Sequence, residues 1–528
     1  MKSTSAWKPI FSLSYCFFLL FLFSSSLSSE IVIDGYLSEE EWETAREINK
    51  FYEVFPFSLN DASGDTRILI QEDGKGIYIG FINTQAKETI RANQHQRDQG
   101  ARPPVGDQVG ITIDFDNDGK TGYRFSVNAG GSINDGTVIN ENEQNMDWDG
   151  DWLSATSITD TGWFAEIFIP WTITSMKSQK GEERTVGFCF YRMLLSEYKV
   201  SATCRGSPYV NKFLSVFDEM NFKQYEVSKL DFFPYITISD DSVTEEQNTK
   251  TGAEIFWKID SSKQLNATLN PDFGQVESDE LVVNFSATET YYSDKRPFFA
   301  ENQSMFEVQG YQMFYVINTR RIGGAPDYNC SSFSSNLASS CSTSQKGTSD
   351  IDIAIRYIQQ SETLDFGFLG ASEKDEDFSQ GRDFYATKFR KTSKNFSFGY
   401  LGTHVERPVL NREATVHTTD FEYWASEDLR VSGVLINSKV NDKDGYGFRV
   451  GYGYTPSKTF SGGMGVWYFD EKIDLSDMGY LWRNDYAMFS GRFEWKQPEF
   501  PESSLSRERR YQIDFAYETD RKGTKETP

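Results

Sequence analysis

The stretch Gly445-Tyr446-Gly447-Phe448-Arg449-Val450-Gly451-Tyr452-Gly453-Tyr454 decides the fold. Tyr446, Phe448, Val450, Tyr452 and Tyr454 fall on one side of an extended chain, and the glycines fall with Arg449 on the other. This is the period-2 pattern of a strand with one apolar face. The pattern recurs along the chain: Ile351, Ile353, Ile355 and Tyr357 oppose Asp350, Asp352 and Arg356; Leu364, Phe366 and Phe368 oppose Asp365 and Gly367; Tyr511, Ile513, Phe515 and Tyr517 oppose Gln512, Asp514 and Glu518. A large secreted β protein alternates too. Two features favour a transmembrane antiparallel β-barrel: the apolar face is unusually aromatic, and the strands follow one another as hairpins from about Asp231 onward without helices. The inward face, rich in charge and glycine, suits a wet lumen. The spacing predicts roughly fourteen strands between Phe232 and Thr519. An open edge in lipid strands backbone donors and acceptors, so the sheet is expected to close. The chain ends Lys522-Gly-Thr-Lys-Glu-Thr-Pro528 rather than on an aromatic strand residue, so closure is expected upstream of this tail, or the chain is a shortened one.

Composition agrees with an all-β chain of more than one domain. Aromatic residues make up 15% of the 528, too many for a disordered polymer, and five cysteines are too few for a disulfide knot. Acidic residues outnumber basic ones 78 to 53, which excludes nucleic acid as a partner, since a polyanion needs clustered Lys and Arg. Residues 1–28 read as a secretory signal peptide: Lys2 and Lys8, an apolar run from Phe17 to Phe23, then Ser26 and Ser28. Cleavage near Ser28 would remove Cys16. The mature chain has no apolar run long enough for a transmembrane helix. Of the four remaining cysteines, Cys330 and Cys341 flank a Ser-rich stretch and suit a local disulfide, and Cys189 with Cys204 is a second candidate pair. No Cys-x-x-Cys pair or nearby histidine supports a metal site there.

Residues 29–230 differ from residues 231–528. Short runs such as Thr66–Ile70, Gly76–Gly80, Val109–Ile113 and Trp163–Ile169 are separated by turn signals, Asp118-Gly119 and Asn134-Asp135-Gly136 among them, at spacings suited to a β-sandwich. Only Ser38–Asn49 looks helical. Asp114-Phe-Asp116-Asn-Asp118-Gly119 is the first half of a calcium loop, but the twelfth position is Phe125 rather than Glu, which excludes an EF-hand. Either Asp114, Asp116 and Asp118 hold a structural calcium or they form a plain acidic hairpin turn.

Asp34-Gly-Tyr-Leu-Ser-Glu-Glu-Glu-Trp42 resembles the opening of family 9 carbohydrate-binding modules, and the likeness continues through Gly76–Gly80, Asp107–Asp114, Gly122–Asn128, Gly162–Glu166 and Ile169-Pro-Trp171. The resemblance implies a sandwich that binds sugar without chemistry, between paired tryptophans beside calcium sites. The candidates here are Trp148 and Trp152 in Asp147-Trp-Asp-Gly-Asp-Trp152, because an aromatic face stacks on the C–H face of a sugar while carboxylates such as Asp147 accept from hydroxyls. The alternative is that the tryptophans pack in the core beside Trp163. Arg97, Asp98 and Arg124 are further candidates, explained equally well as surface charge.

Asn270-Pro-Asp-Phe-Gly-Gln-Val-Glu-Ser-Asp279, Asn284-Phe-Ser-Ala-Thr-Glu289, Ser293–Asn302 and Thr319-Arg-Arg-Ile-Gly323 closely resemble a bacterial family, the domain of unknown function 5916, in which a family-9-like module precedes an outer-membrane β-barrel. The resemblance implies placement in a bacterial outer membrane, and some members carry the label of membrane-associated hydrolase. Glu289, Lys295, Arg296 and Glu301 either line a solute path inside the barrel or form salt bridges that fix its strands.

No H-E-x-x-H helix or G-x-S-x-G elbow is present, and the three histidines, His95, His404 and His417, are scattered in sequence. A glycosidase needs two flanking carboxylates, and spacing among so many acidic residues nominates no pair; Glu166 beside Trp163 reads as an ordinary strand position. The sequence therefore favours a non-enzymatic, carbohydrate-binding outer-membrane barrel for glycan capture or uptake, with an oligo- or polysaccharide and outer-membrane lipid as partners. The alternatives are a hydrolase of O-glycosyl bonds and an adaptor that docks a protein.

Overall fold

The computed structural model describes residues 31–520 apart from 63–65, 100–103, 140, 147, 178, 180, 209–211, 242–245, 272–293, 302, 309–312, 363, 394, 498, 502–503 and 507. The expected signal segment, and Asp147 and Glu289 among the candidate residues, lie outside the described residues.

Strands dominate because β-branched and aromatic residues alternate with small and polar ones nearly throughout. The first thirteen are β1 (Arg46–Ile48), β2 (Tyr52–Phe55), β3 (Thr66–Glu72), β4 (Gly76–Thr84), β5 (Gln108–Asp114), β6 (Thr121–Asn128), β7 (Ile133–Ile139), β8 (Glu143–Asn145), β9 (Leu153–Ile158), β10 (Gly162–Pro170), β11 (Glu183–Leu194), β12 (Lys199–Ala202) and β13 (Asp218–Lys223). They form two sheets, one in the order β1-β3-β4-β10-β9 and the other β2-β12-β11-β5-β6-β7-β8 with β13 beside β11. Ile68, Ile79, Phe81, Trp163 and Ile167 of the first sheet pack on Val109, Ile111, Phe125 and Phe190 of the second, all buried, with the Phe81 and Phe190 rings 5.9 Å apart across the gap. This is a β-sandwich. Ser38–Asn49, read above as helical, keeps only a 3-10 turn at Glu40–Thr44. Arg46–Ile48 is instead drawn into the sheet by pairing with Ile68–Ile70, and Trp42 is buried against Leu69 and Tyr78. Asn134-Asp135-Gly136, read above as a turn, lies inside β7, with both polar side chains buried.

The linker Gln224–Ser228 leads into the second unit. Its strands are β14 (Lys229–Asp241), β15 (Glu246–Asp260), β16 (Lys263–Leu269), β17 (Phe314–Tyr315), β18 (Ile351–Gln359), β19 (Leu364–Glu373), β20 (Asp383–Ser393), β21 (Phe396–Arg407), β22 (Arg412–Trp424), β23 (Leu429–Val440), β24 (Lys443–Ser457), β25 (Phe460–Phe469), β26 (Tyr480–Leu481), β27 (Tyr486–Gln497) and β28 (Arg509–Thr519). Leaving out the short pair β17–β26, thirteen of them form one antiparallel sheet in sequence order, β14 to β28; sequence spacing had suggested about one more. Among the described residues β14 and β28 do not pair with each other.

On β24 the expected alternation holds: Tyr446, Phe448, Val450, Tyr452 and Tyr454 are exposed, while Gly445, Gly447, Arg449 and Gly451 are buried. On β18 it slips, because a bulge between Ile351 and Ile353 turns Ile351 inward to the core while Ile355 stays outward. The inner face is not the open wet surface expected. Helix α1 (Pro297–Ala300) places Phe298 and Phe299 against it, and the loop after β25 adds Ile473 and Leu475 to the same apolar cluster. Gly445 permits that approach, since a Cβ there would meet the Ile473 amide nitrogen at 2.3 Å. Glu301 fastens the insert, accepting from Gln264 and Asn266 of β16 and from Arg356 of β18, the last at 3.2 Å. Arg296 pairs with Asp294, so Arg296 and Glu301, two of the three described charges nominated in the insert, act as fasteners; Lys295 lies beside them at the entry to helix α1.

The sandwich sits against the end of the sheet that carries the turns 261–262, 360–363, 394–395, 425–428 and 458–459 and the longer 498–508. Lys120 pairs with Glu422, Lys177 with Asp365 (3.7 Å) and Lys212 with Asp428 (2.9 Å). The Ser175 hydroxyl donates to Gln264 (2.9 Å), the Met176 amide to the Ser261 carbonyl (2.7 Å) and Lys458 to the Ser58 carbonyl (2.8 Å). None of the apolar clusters of described buried residues contains residues from both units. The opposite end carries the connections 270–350, 374–382 and 470–485 together with the short 242–245, 408–411 and 441–442.

Candidate functional site

Of the residues nominated for sugar binding, Arg97, Asp98 and Trp152 meet around Asp135, a fully buried carboxylate on β7 that the sequence reading had assigned to a turn. Arg97 donates to both Asp135 oxygens (2.8 and 2.6 Å), and the Gly150 amide (2.7 Å) and the Trp152 indole N–H (3.1 Å) donate to its Oδ2. The Asp135 amide donates to Asp98 (2.8 Å), and Arg97 also pairs with Asp149 (2.8 Å). Burial and the neighbouring Asp135 and Asp149 push the Asp98 carboxyl up to about 7. Trp152 is 6% exposed, and the half-buried Trp148 sets its ring edge-on to Tyr123 (5.1 Å) and Phe125 (5.8 Å). Both tryptophans thus pack with the core, the alternative left open above, and the Asp135 knot holds the loop that carries them. Asp98, Asp135 and Asp149 offer oxygens within 4.8 Å of one another, a metal-like convergence, but the Arg97 guanidinium already supplies the cation among them.

The Asp114-x-Asp116-x-Asp118 run forms the β5–β6 turn, with Gly119 at φ +69°. The Asp116 and Gly119 amides donate to Asp114, and the Lys177 amide donates to Asp116 (2.7 Å). The Lys177 ammonium lies 2.5 Å from Asp118, and Arg184 lies 3.7 Å from Asp116. Burial, aided by mutual repulsion, raises the Asp114 and Asp116 carboxyls, the latter to about 6. A calcium donor set needs ionised oxygens converging on one point. Here the oxygens are divided between backbone amides and the chain's own cations, so the residues do not fit calcium.

Arg124 leads to a different place. On the eight-stranded sheet the residues alternating with the core face outward, and there Gln108 and Thr112 of β5, Arg124 of β6, Gln144 of β8 and Cys189, Tyr191 and Met193 of β11 line a cavity of about 480 Å³. Gly110 opens it, since a Cβ there would meet the Tyr191 ring at 2.8 Å. The Arg124 guanidinium lies over the Tyr191 ring (5.0 Å to its centre) and donates to the Tyr191 hydroxyl (2.8 Å) and the Gln144 amide oxygen (3.3 Å). Gln108 donates to Ser126 (2.8 Å). Phe55 and the exposed Tyr198, in edge contact at 5.6 Å, form a second aromatic wall. The disulfide Cys189–Cys204 (Cα–Cα 5.2 Å) stiffens the floor, and Arg510 of β28 reaches the rim from the thirteen-stranded sheet. A second disulfide joins Cys330 to Cys341, which lies in helix α2 (Ser335–Thr343). A cavity of this size with apolar walls and a few placed polar groups is the usual form of a small-molecule site. The sequence reading named Arg124 but missed Tyr191, Gln108 and Gln144. The signal lay in β11, where Phe188 and Phe190 face the core and Cys189, Tyr191 and Met193 must face away.

Glu166 stands apart from this cavity. Its Oε2 accepts from the Asp34 (2.9 Å) and Gly35 (2.7 Å) amides, and burial pushes its carboxyl up to about 7. It secures the entry loop.

No curated protein matches the chain. Among solved structures, it is similar to OpdO of Pseudomonas aeruginosa (8% identity, covering 79% of this chain and 90% of that one, TM-score 0.27). It is also similar to OccK11 (OpdR) of the same organism (8%, 74% of each chain, 0.24) and to an anion-selective porin from Comamonas acidovorans (9%, 78% and 88%, 0.26). A family described as a domain of unknown function, DUF5916, matches residues 227–352, from the linker through β14–β16 to the start of β18.

Proposed function

We propose that this chain is an outer-membrane β-barrel protein whose sandwich, on the periplasmic side, binds an oligosaccharide in the cavity at Arg124 and Tyr191 and serves carbohydrate capture and uptake. Membrane placement is supported by the outward rows of aromatic and aliphatic side chains on consecutive strands, a surface that water would not tolerate at that extent. The sidedness is supported by loop length: such barrels keep short turns on the periplasmic side and longer loops outside, and the two longest connections, 270–350 and 470–485, lie at the end away from the sandwich.

The observation that carries the sugar reading is the cavity itself, where the rings of Phe55, Tyr191 and Tyr198 stand beside Arg124, Gln108 and Gln144 at the rim of the barrel. Sugar recognition needs that pairing of stacking faces with hydroxyl partners. The test is calorimetric titration of the full chain in detergent with a panel of oligosaccharides. Saturable binding lost in Tyr191→Ala and kept in Trp152→Phe is expected; binding that survives Tyr191→Ala places the site elsewhere. No binding of any oligosaccharide would move the assignment to a protein-docking module. Migration on gels that does not change with heating, in protein extracted from outer membranes, would overturn the barrel reading.

A further inference from the structure

We propose that the insert between β16 and β18 and the loop between β25 and β27 together form a stopper that keeps the barrel closed at rest. The stopper is latched at the outer rim by the ladder Asp327–Arg407–Asp477–Arg412–Asp474, and a solute passes only when it shifts. The inference rests on the barrel reading above and adds the regulation of its lumen.

The described residues of the two segments reach opposite walls. Glu301 accepts from Gln264 and Asn266 of β16, and Phe314 sets its ring against Phe469 of β25 (5.9 Å). β16 and β25 stand third and eleventh in the order of the thirteen-stranded sheet, so on a closed sheet they face one another across the interior. The wall between them is held as well. The Gly323 amide donates to Glu373 of β19 (2.7 Å), Lys388 of β20 donates to the Glu307 carbonyl (3.3 Å), and the Asp474 amide donates to Ser438 of β23 (3.0 Å). Inner-face glycines make room: a Cβ at Gly367 would meet the Phe306 ring at 3.0 Å, and one at Gly447 would meet Ile473 at 2.9 Å. Phe298, Phe306, Phe314 and Ile322 belong to one apolar cluster with buried residues of β18–β23, β25 and β27. Apolar groups packed as in a core exclude the water that a dissolved ion carries with it.

The stopper also spans the depth of the barrel. At the end facing the sandwich, Met305 lines a cavity of about 60 Å³ together with Lys177 and Asp118 of the sandwich. At the other end the two segments are joined to each other, through the pairing of β17 with β26 and through the Asn318 amide, which donates to the Met478 carbonyl (2.6 Å). Arg407 and Arg412 flank the β21–β22 turn and clasp both segments. Arg407 donates to Asp327 of the insert (2.8 and 2.5 Å) and to Asp477 of the loop (2.9 Å); Arg412 donates to Asp477 (2.8 and 2.7 Å) and Asp474 (2.7 Å). The Asp327 and Asp477 side chains are 8% and 4% exposed, so the ladder differs from the weak pairs of an open surface.

The test is the potassium chloride conductance of planar bilayers holding the full chain, as wild type and as the double variant Arg407→Gln with Arg412→Gln. Each protein is first shown to be folded by migration on gels that changes with heating. The wild type is expected to add no steady current to that of the bare bilayer, and the double variant to open in discrete steps. If the double variant does not fold, Glu301→Gln, which loosens the insert from β16 and β18, takes its place with the same expectation. A steady wild-type current would overturn the stopper and leave the barrel reading standing. A folded variant as silent as the wild type would overturn the latch, and the proposal with it. Wild-type migration that does not change with heating would end the barrel reading, and this inference with it.

Discussion

Replacing Lys177 by Met tests the junction between sandwich and barrel. The Lys177 side chain is 8% exposed; its ammonium lies 2.5 Å from Asp118 and 3.7 Å from Asp365 of β19, and its amide holds Asp116. Methionine keeps the stem and the amide bond but leaves these carboxylates facing one another without their cation. Removing one partner of a buried pair costs about 3–5 kcal/mol, mostly the penalty of the uncompensated charge. That is roughly two to three and a half orders of magnitude in the unfolding constant. Urea titration of the full chain in detergent, followed by tryptophan fluorescence, to which the sandwich contributes the buried Trp42, Trp152, Trp163 and Trp171, reads the loss. The loss should shrink on acidification. The folded Asp116 carboxyl is already raised to about 6 from an ordinary 3.8 although Lys177 holds it down; without that cation it rises further, so as pH falls the variant gains more stability than the wild type. Adding Asp118→Asn to Lys177→Met should recover much of the cost. A loss below about 1 kcal/mol at pH 8, the value of an exposed pair, would refute the reading of this lysine as the loop's resident cation.

Glu166→Gln should weaken the pH dependence of sandwich stability between pH 8 and 5. The wild-type carboxyl, at about 7 when folded, gains stability as it protonates, whereas the amide has no proton to gain; thermal melts across that range check it, and an unchanged profile would count against Glu166. Replacing Cys189 and Cys204 together by Ser opens a link spanning 15 residues and should cost about 3 kcal/mol in the same urea assay. Reversing one member of the Lys120–Glu422 pair should expose the linker Gln224–Ser228 to protease, and exchanging both residues should restore protection; equal cleavage of the single and double variants would show that the pair does not hold the junction.

Period-2 alternation was enough to place the barrel strands, because burial on one side of a sheet leaves its mark on every second residue, as on β24. It was not enough where the backbone departs from that period. The bulge after Ile351 reverses one side chain without changing composition, and the insert carrying Phe298 and Phe299 covers an inner face whose glycines and charges looked wet. In the sandwich, the expected binding tryptophans and the nominal calcium loop were read from residue types that serve equally well as core and as ion-pair framework. Which role they take is set by neighbours distant in sequence, Asp135 for Trp152 and Lys177 for Asp118. Arg124 belonged to a cavity whose other walls come from β2, β5, β7, β8, β11 and β12, so no local window could show it.

Among the described residues the two units share polar contacts but no apolar cluster, and this bears on how the chain is made. A core that needs nothing from its neighbour can close while that neighbour is still unfolded, and the sandwich precedes the barrel strands in the sequence. On the membrane reading proposed above, the amphipathic strands that follow reach their lowest free energy only once their outer faces meet lipid. An order of assembly follows in which a finished sandwich arrives at the membrane attached to an unfinished sheet, and the lysines at its edge find their carboxylates last, when the turns that carry them have formed.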